Sequence, residues 1–126
     1  MPKQHLTLGK SGEELAVALL EKNGYRILAR NYKTKLGEID IVAYDKDTIC
    51  FVEVKTRHSD KYGMPQEAIS GFKQRQISKA ALMYLQKNHL LDKNARFDVV
   101  SIIYSQNLPK LDLIKDAFEL DRNFVY

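Results

Sequence analysis

Apolar residues recur along this chain with two different periods. Leu15, Ala16, Leu19 and Leu20 fall three and four apart, which predicts an amphipathic helix. Ser11 offers its N-cap, and Glu14 three places later completes a capping box. Asn23-Gly24 should end it, because glycine accepts the left-handed backbone of a C-terminal cap. Alternating and β-branched runs then predict strands over residues 25–31, 37–44 and 48–55. Asp45-Lys46-Asp47 is a turn signal, and the short spacing of the second and third strands predicts an antiparallel hairpin. Residues 58–71, with Gly63, Pro65 and Gly71, read as loop. Helical spacing returns over 72–88, with Ile77, Ala80, Ala81, Tyr84 and Leu85 as the core stripe. A fourth strand is expected over 95–105, broken by Asn107-Leu108-Pro109, with a short edge strand over 111–114. The first ten residues read as a loose start. The order α-βββ-α-β(β) predicts an α/β fold, a mixed central β-sheet flanked by helices.

With 126 residues and 44% hydrophobic content, one domain spanning 1–126 is the expectation. The one cysteine, Cys50, excludes an internal disulfide framework and sits in an apolar run, where a buried thiol behaves as a small hydrophobe. No apolar stretch is long enough to span a bilayer and no secretory leader is legible, so no membrane partner is expected and the cytoplasm is the simplest compartment. The net charge of +4 and pI near 9.1 are compatible with a polyanionic partner. The distribution of charge says more. Residues 68–91 contain no acid, yet hold Lys73, Arg75, Lys79 and Lys87.

The informative charges are those set inside apolar strands. Asp40 lies in Ile39-Asp40-Ile41-Val42, and Glu53 and Lys55 lie in Phe51-Val52-Glu53-Val54-Lys55. Alternation puts Glu53 and Lys55 on one face, and Glu38 and Asp40 on one face of their own strand. If the two strands pair, Asp40 and Glu53 approach each other. Two carboxylates close together repel, and burial raises the cost of ionising them. A divalent cation between them removes that cost, and carboxylate oxygens are what Mg²⁺ prefers. Such a cation activates water and stabilises charge on a phosphate, and Lys55 could orient or deprotonate the water or steady that charge. The plain alternative for each residue is structural: a solvated Glu/Lys strand face, or for Asp98 in Phe97-Asp98-Val99 a partner for a basic residue, which weighs as much as a role in the site. Glu13 borders the apolar stripe of the first helix, and from spacing alone it reads as a first-turn acid favoured by the helix dipole. Lys73 shares the face of Ile77 and Ala81 at the start of the second helix. Arg75 and Lys79 lie on the opposite face, solvated or in contact with phosphate.

Several segments carry a resemblance. Gly9-Lys10-Ser11-Gly12-Glu13, Arg30-Asn31-Tyr32, Gly37-Glu38-Ile39-Asp40-Ile41-Val42-Ala43, Phe51-Val52-Glu53-Val54-Lys55-Thr56-Arg57 and Arg96-Phe97-Asp98-Val99-Val100, in this order, resemble the YraN-like family of small bacterial proteins. That family is similar to Holliday-junction resolvases and to the PD-(D/E)XK, or restriction-endonuclease-like, nucleases. The resemblance implies Asp40, Glu53 and Lys55 as the catalytic set, and Glu13 joining Asp40 and Glu53 as a ligand of Mg²⁺ or Mn²⁺. Ile39 stands where the superfamily name has proline. The expected activity is metal-dependent endonuclease cleavage of phosphodiesters in DNA, with branched DNA as a candidate substrate. Arg57, Lys73, Arg75 and Lys79 are candidate nucleic-acid contacts. The competing expectation is a non-catalytic nucleic-acid-binding or scaffolding protein that keeps the nuclease fold. Resolvases act as dimers, so a homodimer is compatible with the resemblance, although no dimer surface is legible.

Overall fold

The structure is a computed structural model that describes residues 11–58 and 69–119. The expected loose start and most of the expected 58–71 loop lie outside the described residues. Seven elements follow one another: α1 (Ser11–Lys22), β1 (Arg26–Lys33), β2 (Glu38–Asp45), β3 (Thr48–Arg57), α2 (Gly71–Lys87), β4 (Ala95–Ser105) and β5 (Leu108–Phe118). The strands form one mixed sheet in the order β1-β2-β3-β4-β5. Neighbours are antiparallel except β3 and β4, which run parallel. Parallel neighbours need a crossover, and α2 supplies it. This is a restriction-endonuclease-like α/β arrangement.

The local chemistry explains the boundaries. Gly24 at φ 89° ends α1, its N–H donating to the Glu21 carbonyl while Tyr25 N–H donates to Leu20, both at 3.0 Å. Ser70 caps α2, its hydroxyl accepting from Lys73 N–H. The two helices cover opposite faces of the sheet. Ala16 and Leu20 of α1 bury against Ile41, Ala43, Cys50, Val52, Val100 and Ile102. Ile77, Ala80, Ala81 and Leu85 of α2 bury against Ile39, Val42, Ile49, Phe51 and Phe97. With both faces covered, β3 and β4 must read as nearly continuous apolar runs, which is how residues 49–54 and 97–102 are written. Each fully buried large side chain stabilises the fold by roughly 1.5–3 kcal/mol.

Two expectations need correcting. β5 is not a short edge strand over 111–114 but an eleven-residue strand beginning at Leu108. Gln106 and Asn107 at φ 55° and 65° form a tight two-residue turn of the kind that matches strand twist. Pro109 pairs with Tyr104 on the edge strand, where its missing N–H faces away from β4 and breaks nothing. The alternation of β2 also slips. Ile39 and Val42 pack on the α2 side while Ile41 packs on the α1 side. The regular pairing of β2 with β3 accordingly stops at Ile41 opposite Val52. Asp40 sits at that break.

Candidate metal and phosphodiester site

Where β2 and β3 separate, Asp40 takes over from the ladder. Its carboxylate accepts the Val54 N–H at 2.8 Å, a donor that continued pairing would have given to a β2 carbonyl. Glu53, buried, lies on the neighbouring strand, close enough that the Asp40 and Glu53 carboxyls act on each other's ionisation. Burial, with the Asp40 charge beside it, pushes Glu53 up to about 7. Asp40 is also raised by burial, against the lowering effect of the Val54 N–H and of the neighbouring Glu53 carboxyl, while the Glu13 charge pushes it further up. The two groups titrate as a pair.

The other expected residues are placed as follows. Lys73 reaches back from the first turn of α2 and pairs with Glu53, Nζ to Oε2 at 3.5 Å, with half its side chain exposed. Lys55 is half-buried one pleat beyond Glu53, on Glu53's side by alternation, and its ammonium has no partner among the described residues. Glu13 is close enough to act on Asp40 through its charge. Its carboxylate is engaged elsewhere, accepting from Arg30 at 3.2 Å and from the Asn31 amide at 3.0 Å. Asn31 can aim that amide because it stands at φ 54°, a left-handed position asparagine tolerates. Arg57 ends β3. Arg75 is exposed and Lys79 half-buried on α2. Among the described residues no three His, Cys, Asp or Glu side chains are gathered closely enough to hold a metal ion. Asp40 and Glu53 come together; Glu13 stands beside them on other partners.

Those two carboxyls nonetheless suit a hard divalent cation. They are oxygen donors on adjacent strands, Glu53 buried and Asp40 half-buried, and a cation between them would offset the repulsion that raises Glu53. Glu13 would complete a third ligand by turning from Arg30 and Asn31, contacts with a half-exposed guanidinium and an exposed amide.

Asp98 belongs to a different construction, on the α1 side of the sheet. It is fully buried and accepts from the Tyr25 hydroxyl at 2.7 Å, Arg96 Nε at 2.9 Å and Asp116 N–H at 2.9 Å. Arg96 also bonds Asp45 at 2.6 Å, which holds the Asp45 carboxyl below its usual range. Its structural alternative is therefore the one that holds. Burial, reinforced by the Asp98 charge, pushes the Cys50 thiol up to about 12, so it is a neutral core group.

Residues 12–102 match the family described as Uncharacterised protein family UPF0102. The chain belongs to the UPF0102 family. A UPF0102 protein of Syntrophus aciditrophicus is 56% identical over 117 residues, covering 93% of this chain and 92% of its own. One from Geobacter metallireducens is 56% identical over 120 residues, covering 95% and 98%. A third, from Geobacter sulfurreducens, is 55% identical over 114 residues. This UPF0102 chain thus carries the YraN-like, PD-(D/E)XK nuclease-like architecture along nearly its whole length. Among its described residues no helix is long and apolar enough to cross a membrane.

Proposed function

We propose that this chain hydrolyses phosphodiester bonds in DNA, with branched or flapped DNA among its substrates, using Mg²⁺ or Mn²⁺ held by Asp40, Glu53 and Glu13. The observation that carries this reading is the pairing of the Asp40 and Glu53 carboxyls at the point where β2 and β3 part, with Asp40 anchored on the Val54 N–H. A bound cation would supply an activated water and neutralise charge gathering on the phosphate. Asp40 and Glu53 would act as its ligands. Lys55 orients the attacking water or steadies the phosphoryl oxygens as the water oxygen bonds to phosphorus and the ester P–O bond breaks. Lys73, Arg57, Arg75 and Lys79 offer cations to the flanking phosphates.

A second reading draws on one observation, the engagement of Glu13 by Arg30 and Asn31. If that engagement is permanent, the protein binds nucleic acid on the nuclease fold without cutting it. Purified protein on linear, flapped and four-way DNA, with Mg²⁺, Mn²⁺ or EDTA, separates the two. The expected result is cleavage that needs metal and falls about a hundredfold or more in Lys55→Ala, with DNA affinity nearly unchanged. Binding without cleavage by wild type under every condition would establish the second reading.

A further inference from the structure

A groove of about 450 Å³ opens beside the acidic pair, between the β1–β2 loop and the first turns of α2, with Lys33, Lys35, Leu36, Phe72, Lys73 and Gln76 among its lining. Its walls combine features that a merely solvated surface does not need. Phe72 is 64% exposed and Leu36 43%, two of the four large apolar side chains left open among the described residues. Three lysines stand around them against one acid, Glu38. The loop is not loose. Thr34 Oγ1 accepts the N–H groups of Leu36 and Gly37 at 3.0 Å each, and Thr34 N–H donates to the Gly37 carbonyl at 2.8 Å. Gly37 presses so closely on α2 that a Cβ there would come within 2.5 Å of the Gln76 carbonyl oxygen. Lys73 joins groove to site, since it lines one and pairs with Glu53 of the other.

We infer that this groove binds a single-stranded DNA segment leading into the site, with Phe72 as the platform for an unpaired base and Lys33 and Lys35 on its phosphates. The inference rests on the nuclease reading for its choice of DNA and deepens it by naming the substrate class. An exposed aromatic ring is the usual partner of a base that has left its stack, and stacking tolerates any sequence. Lysines spaced around it supply the salt-dependent hold on the backbone. In a paired duplex the bases are stacked on one another, so Phe72 gains nothing from it. The groove therefore favours flaps, frayed ends and branch points over blunt duplex.

The test uses the full-length chain in EDTA, so that binding is read without cleavage. The sequence contains no tryptophan. Phe72→Trp thus installs a single indole fluorophore, which a stacked base should quench. Single-stranded and flapped oligonucleotides are expected to quench it, and blunt duplex much less. In Phe72→Ala the affinity for single strands should fall about five- to a hundredfold with the salt slope unchanged. In Lys33→Ala/Lys35→Ala the slope should flatten by about 1.4, from ~0.7 per phosphate contact. If wild type binds or cuts DNA but the indole of Phe72→Trp is not quenched and Phe72→Ala binds normally, the groove inference fails and the nuclease reading stands. If that indole is quenched and wild type cuts nothing with any metal, the reverse holds. Quenching by RNA but not DNA, or a wild-type dimer that Phe72→Ala dissolves, would also overturn it, as would absence of any binding to nucleic acid.

Discussion

Glu53 is a buried acid beside a second acid. Burial and Asp40 raise it from 4.5 to about 7, so the folded protein holds a proton that the unfolded chain releases near its ordinary value. A raised folded pKa contributes stability that is complete below pH 4.5 and lost as pH rises through 7. Metal-free protein is therefore expected to lose on the order of 2–3 kcal/mol, relative to Glu53→Gln, between pH 5 and pH 8. Urea unfolding of both proteins across that range checks it; parallel curves would refute the raised Glu53. Asp98 gives the opposite case, a buried carboxylate fully satisfied by its neighbours. Asp98→Ala removes the partner of Tyr25, Arg96 and the Asp116 N–H at once. It should cost about 3–5 kcal/mol, while the exposed Asp112→Ala stays within about 0.5 kcal/mol. The same denaturation experiment measures both, and a loss below about 1 kcal/mol for Asp98→Ala would show the network to be dispensable. In sequence the two residues look alike, each an acid among Val and Phe. The difference lies in partners far away along the chain. Tyr25 is 73 residues from Asp98, and Asp45 is 51 residues from the Arg96 it shares.

At the scale of elements, periodicity is a sound guide where one rule acts alone. The α1 stripe, its Gly24 stop, the β2–β3 hairpin and the α2 stripe all follow from spacing. It misleads where two rules compete. Pro109 is a strand breaker by its missing N–H, but an edge strand has an unpaired side on which that loss costs nothing. Alternation places Glu38 and Asp40 on one face, but β2 slips near Asp40, and a slip has no signature in residue type. The carboxylate site depends on that slip, so its members are legible in the sequence while its geometry is not. Glu13 shows the same limit: spacing suggests a dipole-favoured acid, and its grip by Arg30 and Asn31 needs the left-handed turn of β1. The contact of the β1–β2 loop with α2 is equally invisible in one dimension. Gly37→Ala would set a methyl group against a backbone carbonyl that cannot swing aside. It is expected to cost about 1–3 kcal/mol in thermal or chemical unfolding. A neutral effect would mean that the loop stands off the helix.

For the whole molecule, the sheet separates two tasks. On the α1 side Asp98, Arg96, Tyr25 and Asp45 tie β2, β4 and the turn before β1 together through hydrogen bonds. On the α2 side the Asp40–Glu53 pair, Lys73 paired with Glu53, Lys55 and the lysine-lined groove gather charge at one edge. One buried acid is fully satisfied by its neighbours, and the other lies beside a second carboxyl that raises its pKa. If a divalent cation takes its place between Asp40 and Glu53, as proposed, it binds the folded state and stabilises it with the logarithm of its concentration above the dissociation constant. The measurement that tests this most directly is the melting temperature of wild type and Asp40→Asn at pH 7.5 against increasing Mn²⁺. Wild type should rise by several degrees, climbing with the logarithm of Mn²⁺ concentration above the dissociation constant, about 2.7 kcal/mol at a hundred times that constant, and Asp40→Asn should not respond. Equal melting temperatures for wild type with and without millimolar Mn²⁺ would contradict the metal site on which the nuclease reading stands.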